Sequence, residues 1–456
     1  MNLHKAQHLH FIGIGGIGIS AIAKWALEQG KQVSGSDLKE NVTTQWLAAH
    51  GARVHIGTHK AENVPAGCDM VVHTVSVHPG NPEYDIATER ALPIATYPQA
   101  LNVLLAGKQG IAVAGTHGKS TTTALLAYIL VEAQRDPTVV VGTRVRLFGD
   151  TNERLGKGPD LLIEADEYNQ GILLYQPQHA VVLNVDHEHV DIYPTLADLQ
   201  HAFQTFVSHV PTSGTVTLNA EDASTLLLQQ VSRAPVRTFG LQAGDLRASD
   251  SKTITGGQSF SVSGLYNGPL TTQLYGEHNV RNILAALCVA QALHIPFDVC
   301  QKAVAAFPGT WRRFENRGTW KGATIIDDYA HHPTEIQATL QATRQAFPHQ
   351  RIICVFQPHL HSRTLAFAKQ FSAVLALADV CIVLEVYDVD GRSENTHMSS
   401  KTIAQAIGPN AQFVENVQAA VEHVAQIVQP GDIILTLGAG DITTFFDLAI
   451  KNIPKR

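Results

Sequence analysis

Two glycine-rich loops of different design lie in one chain, and together they restrict its fold more than any other feature. The first is FIGIGGIGIS at residues 11–20, the second GTHGKST at residues 115–121. Each follows a short apolar run and precedes a helical pattern, giving the order strand, loop, helix. Glycines at such a turn let backbone N–H groups converge, and the helix that follows adds the positive end of its dipole. An anion is the natural occupant. A chain with two such turns is built from parallel βαβ units and has places for two phosphate-bearing ligands.

The second loop is of the ATP type. Gly115 and Gly118 curl the backbone, Thr116, His117 and Thr121 complete the phosphate cradle, Lys119 carries charge to the β- and γ-phosphates, and the Ser120 hydroxyl suits Mg²⁺. Val113 stands where the usual loop has its first glycine, so this is a shortened variant. The buried-strand pattern GIAVAG before it and the helix STTTALLAYILVEAQ after it supply the context. In the first loop Gly13, Gly15, Gly16 and Gly18 fit the dinucleotide fingerprint. Ser36 and Asp37 close the next strand, where a carboxylate would meet a ribose hydroxyl. A nicotinamide-dependent oxidoreductase would use the first loop and leave the second idle. A nucleotide-activated substrate on the first loop and ATP on the second uses both.

At roughly 150 residues per domain, 456 residues suggest about three. Boundaries fall near 107 and 311, giving segments 1–107, 108–310 and 311–456. The expected class is α/β: a Rossmann-like first domain, a central P-loop parallel sheet with an antiparallel insert near 235–275, and a Rossmann-like third domain. The net charge of −7, without basic runs, argues against nucleic acid. No stretch of eighteen apolar residues or cleavable leader is seen, so neither membrane spanning nor export is expected. The five cysteines are scattered and never spaced C-x-x-C, which fits a reducing cytoplasm. DHEHVD and AHHPTE lack the i, i+4 histidine spacing of a zinc hydrolase.

Further motifs follow in order: GSDL, NPE, EADE, GEHNVRNILAA, RRFE, DDYAHHPTE, FQPH, SRT and LGAGDI. With the two loops they resemble the Mur ligases along the whole chain. The resemblance implies an ATP-dependent amide ligase of peptidoglycan precursor synthesis, monomeric or weakly dimeric. It would join L-alanine to the lactyl carboxylate of UDP-N-acetylmuramate through an acyl phosphate. The alternative within the family adds a whole tripeptide. A folate-type glutamate ligase would lack the first loop, and an inert UDP-sugar sensor would not need the second.

The resemblance also implies roles. Gly13, Gly15, Gly16, Gly18, Ser36 and Asp37 would bind the UDP-sugar, and residues 115–121 with Asn282, Arg313 and Asp327 the ATP. Ser120, Glu167 and His189 would hold Mg²⁺, and Lys119, Glu167, His189 and Arg313 would carry catalysis. Glu164 reads as an exposed strand-end acid. The family's motif has carboxylates of opposite length at Asp186 and Glu188. In FQPHLHSRT, Leu360 stands where the family has arginine, leaving His359 and Arg363 to anchor the amino acid, with His361 as a further source of positive charge.

Overall fold

The computed structural model describes residues 3–189, 192–388 and 398–451, the side chain of Asn169 excepted. Asp191, the last acid of the EADE-following motif NVDHEHVD, lies outside the described residues. The chain forms two compact units: residues 1–248 with 262–267 and 281–304, and residues 249–261, 268–280 and 305–456.

The first unit begins with β1 (His8–Ile12), α1 (Ile17–Glu28), β2 (Gln32–Asp37), α2 (Val42–Ala49), β3 (Arg53–Ile56), β4 (Met70–His73), α3 (Pro82–Glu89), β5 (Ile94–Thr96) and α4 (Tyr97–Ala106). Its five strands are ordered β3-β2-β1-β4-β5, all parallel. That doubly wound order places the loop after β1 at the switch point of the sheet, where ligands bind in such folds.

The unit continues through β6 (Gln109–Ala114), α5 (Lys119–Glu132), β7 (Thr138–Val145), β8 (Thr151–Arg154), β9 (Asp160–Glu164), β10 (His179–Val182), α6 (Leu196–Ser208), β11 (Thr215–Asn219), α7 (Ala223–Leu227) and β12 (Val236–Gly240). Within this unit the central sheet runs β12-β11-β10-β6-β9-β7-β8. Only β8 is antiparallel to its neighbour. β6 is central, and Ile111–Ala114 are fully buried, as a parallel strand covered on both faces must be.

The two sheets of this unit share a core, and specific contacts join them. Lys24 of α1 forms a buried ion pair with Glu153 of β8, and the Asn152 side chain donates to the Ile17 carbonyl. A buried pair of this kind fixes the relation of two elements more than it stabilises them.

The insert consists of β13 (Leu246–Ile254), β14 (Gly257–Gly264) and β15 (Gly268–Thr272). β13 starts parallel to β12. Thr255 and Gly256 alone join β13 to β14, and Gly256 takes a positive φ of 79° that suits glycine. α8 (Glu277–Ala292) and α9 (Phe297–Ala306) follow.

The third sheet belongs to the second unit: β16 (Glu315–Trp320), β17 (Ala323–Asp328), α10 (Pro333–Ala346), β18 (Ile352–Phe356), α11 (His361–Leu375), β19 (Val380–Leu384), α12 (Lys401–Ile407), β20 (Ala411–Val414), α13 (Val417–Ile427), β21 (Ile433–Leu437) and α14 (Phe445–Lys451). The order is β16-β17-β21-β18-β19-β20, antiparallel only at β16. Apolar clusters cover both faces, one around Phe356 and Phe371, the other around Val355 and Phe445. The α/β class and three sheet-bearing domains expected from the strand–helix rhythm are present. Among the described residues no helix is long and apolar enough to cross a membrane.

Candidate functional site

The first loop is shaped by backbone. Gly13 has φ +81°, and its N–H and that of Ile14 both donate to the Ser36 carbonyl at 2.8 and 2.9 Å. The Gly15 N–H donates to the Asp37 carboxylate at 2.9 Å, and a Cβ on Gly15 would stand 2.7 Å from Asn41 Nδ2. Gly16 caps α1 without a side chain of its own. Asp37 therefore reaches the loop. The Ser36 side chain does not: it is buried, and its hydroxyl donates to Glu83 at 2.6 Å. Only the Ser36 carbonyl faces the loop.

Glu83, from the NPE motif, is fully buried and is a centre that sequence reading left without a role. It also accepts from Asn63 at 2.7 Å, and ring nitrogens of His10 and His59 lie 3.0 and 3.2 Å away. Burial alone would raise its pKa, but hydrogen bonds from His10, Ser36 and Asn63 outweigh that and hold it at about 2.

The second loop is shaped by charge. Gly118 has φ +83° and caps α5; a Cβ there would meet Asn282 Oδ1 at 2.5 Å. That contact brings Asn282 to the loop. The Lys119 ammonium donates to the carbonyls of Gly115 and Thr116 at 2.7 and 3.2 Å and to both Glu167 oxygens at 3.1 and 2.9 Å. Burial disfavours the ammonium, but Glu167 and Asp166 more than offset this and raise its pKa. Glu167 is completely buried. Burial pushes its pKa up, and Lys119 and His189 pull it down further, so it stays ionised.

His189 Nε2 lies 3.6 Å from Glu167, with the Tyr168 ring beside it. Burial lowers its pKa, the Glu167 and Glu188 carboxylates raise it more, and the net direction is up. Its backbone sits at φ +53°, a left-handed conformation that histidine tolerates better than most residues and that often marks a functional turn. One ligand atom from each of Asp166, Glu167 and His189 falls within 4.8 Å of the others.

Ser120 donates to Glu164 at 2.9 Å, and the other Glu164 oxygen accepts the Gly142 N–H at 2.6 Å. Glu164 is half-buried. The expectation of an exposed strand-end acid is therefore corrected: β9 pairs beside β6 with Val113 opposite Glu164, which points the acid at the loop serine. Thr116 and His117 are tied to the next strand end: Thr116 bonds the Asp186 backbone, and His117 lies 3.1 Å from the Asp186 carboxylate. Thr121 is buried in the first turn of α5.

The remaining candidates belong to the second unit. Asp327 is buried, accepting from Arg312 Nε at 2.9 Å and from Thr436 and Thr443 at 2.7 and 3.2 Å. Of the Arg312–Arg313 pair, Arg312 is the internal one, and it also donates to the Gly438 carbonyl. Arg313 is half-buried, 3.6 Å from Glu335, with its guanidinium over the Tyr329 ring.

His359 stacks on Tyr387. Arg363 is buried in the first turn of α11. Leu360, the residue before α11, is buried and has φ +68°, an uncommon place for leucine. His361 contacts the Met398 carbonyl at 3.0 Å and Asp388 at 3.0 Å. Its ring is thus directed to those groups.

Three family profiles match: Mur ligase family, catalytic domain, at residues 8–109; Mur ligase middle domain at 113–290; and Mur ligase, glutamate ligase domain, at 312–440. The UDP-N-acetylmuramate–L-alanine ligase of Nitrosomonas eutropha is 40% identical over 456 residues, covering 96% of each chain. That of Geobacter sulfurreducens is 40% identical over 447 residues, again covering 96% of each. The solved UDP-N-acetylmuramate-alanine ligase of Thermotoga maritima superposes with a TM-score of 0.82 at 29% identity, covering 97% of this chain and 98% of that one. A murein peptide ligase from Psychrobacter arcticus shares the fold, with a TM-score of 0.71 at 24% identity.

Proposed function

From the premise that this chain belongs to the Mur ligase family, we propose that it joins L-alanine to the lactyl carboxylate of UDP-N-acetylmuramate at the expense of ATP. The observation that carries the reading is that two phosphate loops of different chemistry share one compact unit. The first loop would hold the diphosphate of the UDP-sugar, the second the phosphates of ATP. The reaction belongs in the cytoplasm, where both nucleotides are made.

The carboxylate and the γ-phosphate are both anionic, so the work is neutralisation and alignment. Lys119 now neutralises Glu167; with ATP present its ammonium would turn to the phosphates. The γ-phosphoryl group passes to the carboxylate oxygen and ADP leaves. The alanine amine then attacks the acyl carbon, the C–O bond to phosphate breaks, and the amine gives up a proton. Arg313 is suited to the phosphates because its planar fork can pair with two oxygens.

The donor set fits Mg²⁺: carboxylate oxygens are hard ligands, and Asp166, Glu167 and His189 each bring one ligand atom within 4.8 Å of the others, beside the Ser120 hydroxyl of the loop. Ser120, Glu167 and His189 would hold it, and when bound it supplies neutralisation of phosphate charge. Glu164 would fix the Ser120 hydroxyl, and Tyr193, whose hydroxyl donates to the Glu167 carbonyl at 2.8 Å, would fix the turn.

The test is phosphate release with UDP-N-acetylmuramate, ATP and Mg²⁺, supplying each amino acid or the tripeptide L-Ala–γ-D-Glu–diaminopimelate in turn. Release dependent on L-alanine is expected. Release with the tripeptide alone would overturn the choice of amine while keeping the family.

A further inference from the structure

The first loop and the acids of the second approach each other at a side chain that the proposed chemistry leaves unused, Tyr97. It opens α4, whose start is fixed by a capping box between Thr96 and Gln99. On one side, a Cβ on Gly18 would stand 2.5 Å from Tyr97 Cζ and 2.8 Å from the hydroxyl oxygen. The last glycine of the fingerprint thus gives its space to the phenol. On the other side, a Cβ on Gly171 would lie 3.6 Å from Pro98, in the short 3₁₀ segment Tyr168–Leu174 that directly follows Glu167. Residues 97–98 are held between the UDP-type loop and the Glu167 turn.

Among the described residues the Tyr97 hydroxyl has no hydrogen-bond partner, unlike that of Tyr193. Burial, Glu164 and Asp166 all raise its pKa. The group therefore remains a phenol across the working pH range, able to donate one hydrogen bond. Gly18 of the first loop lies against Tyr97, and the Glu164 and Asp166 carboxylates beside the second loop are close enough to act on its hydroxyl, so a sugar acid reaching from one loop to the other would meet it.

Resting on the proposed function, we propose that Tyr97 is a substrate-contacting residue whose hydroxyl donates to the lactyl carboxylate of the UDP-sugar and aims it at the ATP loop. A site that hydrogen-bonds one substrate group discriminates against analogues lacking it.

Tyr97→Phe isolates the hydroxyl and leaves the ring against Gly18. Calorimetry would compare parent and variant with UDP-N-acetylmuramate and with UDP-N-acetylglucosamine, which lacks the lactyl group. The proposal expects roughly tenfold weaker binding of the first, unchanged binding of the second, and an unchanged melting temperature. Equal weakening of both ligands would overturn it, since the contact would then lie at the diphosphate or in packing. Unchanged binding of both would also overturn it. If the parent itself fails to bind UDP-N-acetylmuramate, the proposed function falls and this inference with it; an unaffected variant of a binding parent sinks the inference alone.

Discussion

The two glycine loops solve the same problem by different means. Around the first, the contacts are mostly backbone: Gly13 and Ile14 on the Ser36 carbonyl, Gly15 on Asp37, and Gly18 yielding to Tyr97. Around the second, Lys119 and the carboxylates of Glu164, Asp166 and Glu167 crowd the helix start. The first loop is thus suited to hold a group that does not react, and the second to hold one whose charge is redistributed during the reaction. Buried charge exists under the first loop too, in Glu83, but there it locks β2 from beneath.

The comparison breaks most readily at Lys119. Lys119→Ala is expected to lower turnover by roughly 10³-fold, because in the proposed reaction its charge acts on the transferring phosphoryl group. The KM for UDP-N-acetylmuramate should stay within about twofold, which steady-state kinetics with each substrate varied would show. A comparable loss at both substrates would mean that the loops are not independent.

Glu83 tests the opposite kind of charge. Its pKa is about 2 in the folded chain against a reference of 4.5, so its stabilisation is fully present above pH 4.5 and is lost as pH falls toward 2. Glu83→Gln should therefore destabilise the chain at neutral pH by on the order of 3 kcal/mol and flatten the acid limb of unfolding. Denaturant melts at pH 7 and pH 3 would check this. An unaltered acid limb would remove Glu83 from the account.

His189→Ala should raise the Mg²⁺ concentration for half-maximal rate by roughly tenfold, since one ligand would be lost and the others kept. Superimposable Mg²⁺ titrations would make the histidine structural.

Gly118→Ala and Gly15→Ala should produce mirror-image, several-fold effects. Gly118→Ala meets Asn282 and an unfavourable φ, and should raise the KM for ATP alone; Gly15→Ala meets Asn41 and should raise that for the UDP-sugar alone. Kinetics showing crossed effects would blur the assignment.

Much of this contrast was legible in the sequence because glycine spacing, strand–helix order and the EADE and HEH motifs are local. Lys119, Glu167 and His189 are separated in the chain and meet because β6, β9 and β10 are neighbours with their ends aligned. What stayed hidden depends on partners across strands. Glu164 differs from a surface acid only through its register with β6. Arg312 and Arg313 are adjacent, and the sequence does not tell which enters the interior; the turn at φ +54° decides it. The Ser36 hydroxyl is taken by buried Glu83, a partner 47 residues further along the chain. Tyr97 directly follows β5, whose three residues are too few to register as a strand pattern.

In the proposed reaction the two loops serve two nucleotides at once. Calorimetric titration of UDP-N-acetylmuramate into the parent, with and without a saturating non-hydrolysable ATP analogue and Mg²⁺, tests it directly. One equivalent of UDP-sugar should bind in both conditions, and one of the analogue in the reverse titration. Abolition of UDP-sugar binding by the analogue would contradict the account, because the two ligands would then compete for a single loop.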